Sequence, residues 1–587
     1  MKKIVTIILA LVTVLSVLTG CTTTLVKDKE TGKYDKGAVI DMYLTDCIYY
    51  FDPQQSITDE SQLKLLSLVF EGLTYIDENG KWQKALMKEY EVDVDDGENF
   101  SILITINDTR WTDGRTVQAA DFVYSWKRLL DPEQKNEAAS LLYDVKNARA
   151  CKTGDATIDD LGIYAVDTYV LKVEFEEKID VDQFMENCSS IALVPLREDV
   201  VSRYGDDDWA MKSTSIITNG PFALKDMSYD RTFRIERSTY YYLDPEKEEY
   251  LDKFVVPYRL MIDYNEGDVE EQFERYLAGE ILYEGEIPLS YRAEYKDKAT
   301  VTDMMSTHTY VFNTTNPLFE KAEVRRALSL AIDRNEIVNI ITFAKPATGY
   351  IPAKVFDANR KTEFRTVGGE LISASANVEE AKSLLKSAGV SGGSFTLTVR
   401  DKEVDLAIAE YVKGVWQSLG FKVKIEAVNA KVTSEDKTYI ADDVFQTKYD
   451  TSDFDVIAID MTMLAPDAYS ALAQYALEFS GNGVDMNSET YDLYGHVSGY
   501  HSEEYDALID AAYSERDRAA RTEILHDAEE MLLEDMPVIP LVVLQDAYLA
   551  IDDLKKIDTT YYGVRDFKDT ELKNYMNYKD VVSEDAE

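Results

Sequence analysis

FTLTVRDKEVDLAIAEYVKGVWQSLGFKVKIEAV, residues Phe395 to Val428, decides the fold class of this chain. Phe395, Leu397 and Val399 alternate with polar residues, the period of a strand with one face buried. Val404, Ile408, Tyr411, Val412, Val415 and Leu419 then recur at helical spacing until Gly420 stops the run. Phe421, Val423 and Ile425 resume the alternation, with Lys422, Lys424 and Glu426 on the wet side. Strand, helix and strand in this order predict a parallel pair joined by a right-handed crossover.

Working outward, the same alternation of periods continues. Asn377 and Glu380 read as a capping box, Val378, Ala381, Leu384, Leu385 and Ala388 form one helix face, and Gly389 ends it. Val324, Ala327, Leu328 and Ala331 make a further stripe, and Asp333 with Glu336 caps the next helix. Tyr505, Leu508, Ile509 and Ala512, then Ala520, Ile524, Ala528 and Met531, predict two more helices. Pro537 stops that run, and Val538 to Leu544 reads as a buried strand. The class is mixed α/β, and the length exceeds what one core usually supports, so two or three domains are expected.

The other end of the chain speaks to location. Lys2 and Lys3 precede an uncharged apolar stretch from Ile4 to Leu18, closed by Leu18-Thr19-Gly20-Cys21. This pattern predicts a lipoprotein signal peptide over residues 1–20 and lipid attachment at Cys21. Residues 21–37 are polar and form a flexible stalk. More than one acyl chain is needed for stable anchoring, so a diacylated Cys21 tethers an extracytoplasmic body to the bacterial cell membrane.

The net charge of −47 excludes nucleic acid as a partner, because phosphates require a basic surface. Beyond Cys21, Cys47, Cys151 and Cys188 are an odd set without metal spacing; one bridge and three reduced thiols both remain open. Neither a metal nor a cofactor is expected. Gly389-Val390-Ser391-Gly392-Gly393 matches G-x-S-x-G, but a helix precedes it and a strand follows, the reverse of a nucleophile elbow. No phosphate-binding G-x-x-x-x-G-K-[ST] occurs, so any ATP hydrolysis belongs to a partner. The chain reads as a non-enzyme.

Five blocks carry a resemblance. They are FEGLTYIDENGKWQKALMKEYEV at Phe70 to Val92, WTDGRTVQAADFVYSWKRLLDP at Trp111 to Pro132 and TNGPFALKDM from Thr218. TYVFNTTNPLFEKAEVRRALSLAIDR at Thr309 to Arg334 follows, and YHSEEYDALIDAA from Tyr500 with MPVIPLVV from Met536 closes the series. Together they resemble solute-binding family 5, the oligopeptide- and dipeptide-binding lipoprotein class of ABC importers. The resemblance implies a two-lobed periplasmic-binding-protein-like fold of class II type, with an extra accessory domain in the N-terminal lobe. It places lobe I at residues 38–305 with the accessory domain at 76–200, lobe II at 306–547, and a return to lobe I at 548–587.

It also implies a monomer that captures short peptides between its lobes and presents them to a permease and its ATPases. The ligand-facing segments correspond to Ser56-Ile57-Thr58-Asp59, to Glu284-Gly285-Glu286-Ile287-Pro288 and to FDVIAIDMTMLAPDAYSAL at Phe454 to Leu472. Thr58, Asp59, Glu286, Asp460, Thr462 and Asp467, with aromatic Tyr310, are the candidate ligand-binding residues. The class typically shows a tryptophan and, three residues on, an aspartate that pairs with the peptide's amino group; Met461 and Leu464 stand there in this chain. Either Asp460 or Asp467 could replace that anchor. That departure leaves two alternatives open: a non-peptide solute such as an oligosaccharide or metal chelate, and a sensory lipoprotein that reports ligand to a signalling partner.

Overall fold

The computed structural model describes residues 39 to 574, apart from 46, 47, 49, 207, 229–231, 239, 242–258, 264–268, 429–430, 436–437, 486–487 and 489–491. The leader, Cys21, the stalk, Cys47 and the end of the tail lie outside the described residues.

Gly393–Arg400, the helix Glu403–Ser418 and Phe421–Val428 form the expected unit, with the strands parallel and Phe395 opposite Val423. Trp416 on the helix is buried and donates its indole N–H to the Leu328 carbonyl at 3.0 Å, fastening the unit to the Ala322–Leu330 helix.

These two strands begin one large sheet. Its order continues through Val456–Thr462, Thr300–Phe312, Val538–Ala550, Tyr283–Glu284, Val39–Tyr43, Arg259–Asp263 and Thr232–Arg237 to Phe222–Ser228. We call the half of this sheet up to Val456–Thr462 the second lobe and the half from Tyr283–Glu284 onward the first. Thr300–Phe312 and Val538–Ala550, thirteen residues each, are shared. Thr300 to Asp303 pair with Gln545 to Tyr548 on the first-lobe side, and Thr307 to Val311 pair with Val538 to Val543 on the other. The register shifts between Asp303 and Thr307 and again between His308 and Thr309.

A separate antiparallel sheet, Met87–Asp95, Phe100–Ile106, Val170–Phe175 and Ile163–Asp167, builds the accessory domain. The Ala119–Leu129 helix covers it with buried Phe122 and Trp126. Trp111 is fully buried and donates its indole N–H to Asp121 at 2.9 Å, while Gly114 turns the chain at φ 91°. The Trp-Thr-Asp-Gly motif is therefore a structural turn. The accessory core runs on into that of the second lobe, with Tyr143 packed 5.7 Å from Phe479. Cys151 and Cys188 are free and buried. No helix among the described residues is long and apolar enough to cross a membrane.

Candidate functional site

The lobes meet at the start of the Glu60–Val69 helix. Asp59 is its N-cap, accepting from the Ser61 N–H at 2.8 Å, while the Gln62 side chain returns to the Asp59 N–H. The same carboxylate reaches Lys402 of the second lobe at 2.6 Å and lies 3.6 Å from Arg400. Thr58 donates its hydroxyl hydrogen to Gln446 at 2.7 Å, and its carbonyl accepts from the Asp460 N–H at 3.1 Å. Behind this junction the His308 ring nitrogen lies 2.7 Å from the Asp460 carboxylate.

Beside the junction lies a cavity of about 1290 Å³, larger than the roughly 300–1,000 Å³ of pockets that hold drug-sized ligands. Ile57, Leu63 and Ile191 wall it from the first lobe, and Lys354, Met463 and Leu464 from the second. The tail after the last shared strand supplies a third wall through Tyr562, Val564 and Arg565. Gly563 permits that approach: with φ 92°, it lies where a Cβ would come within 2.6 Å of the Asp303 carbonyl.

Residues 81–483 match the family model described as bacterial extracellular solute-binding proteins, family 5 Middle. This chain belongs to that family. The dipeptide-binding protein DppE of Bacillus subtilis is 28% identical over 531 residues, covering 88% of this chain and 89% of its own. The oligopeptide-binding protein OppA of the same organism is 25% identical over 506 residues, 83% of this chain and 84% of its own. Among solved structures, Listeria monocytogenes OppA bound to peptide superposes with a TM-score of 0.75 at 22% identity, covering 91% of this chain and 99% of that one.

In this family 5 protein, the structure sorts the sequence candidates. Thr58, Asp59, Asp460 and Thr462 gather at the lobe junction, where their polar atoms already have protein partners; Thr462 shares a 3.2 Å hydrogen bond with Ser306. Glu286 is half-buried within electrostatic reach of Lys64 and Arg292. Tyr310 is sealed between His308 and Trp416, ring centroids 5.8 and 5.9 Å away, and its hydroxyl has no hydrogen-bond partner. Asp467 stands apart, held by both terminal nitrogens of Arg521 at 2.8 and 3.0 Å. None of the seven lines the cavity.

Their neighbours do: Ile57 precedes Thr58, and Met463 and Leu464 follow Thr462. Of the three ligand-facing segments the resemblance implies, the first and third border the cavity through Ile57 and through Met463 and Leu464, whereas Glu284 to Pro288 does not line it; Asp59, Asp460 and Asp467 are held in a cap, a histidine contact and a salt bridge. Ile191, Lys354 and the Tyr561–Lys568 tail went unnoticed because they converge from distant parts of the chain; the Tyr561-Tyr562 pair is the one local signal that could have drawn attention to the tail.

The electrostatics of the junction follow from burial. Desolvation pushes the Asp59 carboxyl up, but Lys402 and Arg400 outweigh it and hold the group well below the ordinary range. Desolvation also dominates at Asp405, with Asp460 adding to it against His308 and Lys402, and raises that carboxyl to about 7. For His308 burial works downward, yet the hydrogen bond and charge of Asp460 prevail and raise its pKa.

Proposed function

We propose that this family 5 receptor takes short peptides into the cavity between its lobes, closes over them, and presents the closed form to an importer permease driven by cytoplasmic ATPases. The observation that carries the reading is the cavity itself, walled by both lobes and by the returning tail, so that opening the lobes opens the site. The Bacillus relatives named for dipeptide and oligopeptide binding and the peptide-bound Listeria structure support the ligand class. The shared strands near residues 305 and 547 act as the hinge between lobes bounded as the sequence places them, and their register shift is where the dihedral change is absorbed. The receptor acts without chemistry on its ligand, as a monomer tethered outside the cytoplasm through lipidated Cys21.

Mass spectrometry of what co-purifies with residues 22–587 tests the ligand, and short peptides at near-stoichiometric amounts are expected. A released oligosaccharide or metal chelate overturns the peptide reading. For the tether, the membrane fraction of the full chain should lose the protein on Cys21→Ser.

A further inference from the structure

The cavity is not uniform. Leu63, Met304 and Val564 form a small buried cluster of their own, against which Ile57, Ile191 and Tyr562 pack. Ile57, Leu63, Ile191, Tyr562 and Val564 also line the cavity, and Met463 and Leu464 complete this compartment from the second lobe. Within it the Ser189 and Tyr562 hydroxyls pair at 3.1 Å.

The Lys354 ammonium stands at the edge of this compartment. The Lys354 amine donates to the Asp303 carbonyl at 2.9 Å, one residue before Met304. The Asp303 carboxylate is taken by Lys345 at 2.6 Å and Gln545 at 2.7 Å. Arg565 on the same wall is neutralised by Asp546 at 2.8 Å. Glu363 is near enough to favour the charged amine but makes no ion pair with it. Lys354 is thus a half-buried ammonium facing the cavity with a neutral carbonyl for a partner. It is also held at φ 71°, in the left-handed region a lysine seldom occupies. Desolvation pulls its pKa down, with Asp303 the leading opposing influence.

Resting on the peptide reading above, we propose that the site selects peptides that end in an apolar residue with a free carboxylate, the side chain seated among Ile57, Leu63, Ile191 and Leu464 and the carboxylate on Lys354. An apolar chamber beside an ammonium whose hydrogen-bond partner is a neutral carbonyl matches a C-terminal leucine or phenylalanine: the side chain leaves water, and a carboxylate replaces the water lost by the amine.

Calorimetry on the mature chain, residues 22–587, with Ala-Ala-Leu, Ala-Ala-Leu amide and Ala-Ala-Lys tests this. Ala-Ala-Leu should bind at least tenfold tighter than either of the others. Lys354→Met should erase the difference between acid and amide, with Lys354→Gln as a second variant should the first melt early. Leu464→Asp should erase the preference for leucine over lysine. Equal affinity for acid and amide in the parent chain, or a preference for Ala-Ala-Lys, overturns the proposal and leaves the peptide reading standing. If neither these nor a random peptide mixture binds, both fall.

Discussion

The Asp59 carboxylate lies 2.6 Å from the Lys402 amine while accepting a hydrogen bond from the Ser61 N–H, so one side chain both starts a helix in the first lobe and holds the second lobe against it. Asparagine caps a helix about as well as aspartate, so Asp59→Asn separates the two roles. The helix should persist and the closed form should weaken by roughly 2 kcal/mol, less than for a fully buried pair because Lys402 keeps some access to water. Ligand affinity should fall about 30-fold with the helical circular dichroism unchanged. Because the folded pKa of Asp59 is depressed, its contribution is present above the ordinary carboxylate range and lost only in strong acid; mild acidification should leave this contact intact.

Asp405 behaves in the opposite sense. Its carboxyl is raised from 3.8 to about 7, so between those values the folded chain holds a proton that the unfolded chain has released. The stability it contributes is complete below 3.8 and is lost as pH rises through 7. His308, also raised, declines in the same direction, and the charges of Asp460 and Asp59 act on both groups. Asp405→Asn should flatten the fall in Tm across that window and raise Tm at pH 8 by roughly 3 °C, the shift that about 1 kcal/mol gives in a large domain. An unchanged Tm profile in differential scanning calorimetry refutes it.

A seam of arginine pairs closes the accessory domain on the second lobe. Arg516 meets Asp144 at 3.1 Å and Glu177 at 2.7 Å, Arg518 meets Asp180 at 2.9 Å, and Arg149 meets Asp510 at 2.7 Å. Each is partly exposed and contributes at most about 1 kcal/mol, but all act in the closed form together. Screening lengths shrink to about 3 Å at 1 M salt, so peptide affinity should drop several-fold between low and high salt. The double variant Arg516→Ala with Arg518→Ala should lose most of that salt dependence, as fluorescence titration would show.

Burial raises the Cys151 thiol to about 11 and the Cys188 thiol higher still, and both lie inside the accessory core. In a chain with Cys21 and Cys47 replaced by serine, a thiol reagent at pH 8 should label neither residue until denaturant is added. Rapid labelling of the native protein would mean that this core opens readily.

Much of the architecture was legible because its determinants are local. The Phe395–Val428 unit declares itself through side-chain period and a stopping glycine, and Asn377, Asp333 and Pro537 mark ends that the backbone must respect. Such signals act within a few residues, where sterics and capping leave little choice. Asp467 shows the limit. Its sequence neighbourhood admits an anchor for an ammonium group, yet its oxygens belong to Arg521, 54 residues away.

What the sequence determined alone is therefore the order and type of the most periodic elements, the family, and a set of candidate ligand-facing segments. Only the tertiary structure decided which atoms in those segments stay free, since Ile57, Lys354, Leu464 and Val564 become neighbours through two long shared strands and a returning tail. The physical reason is that a polar group already paired inside the protein is not available to a ligand, and those partners come from anywhere in the chain.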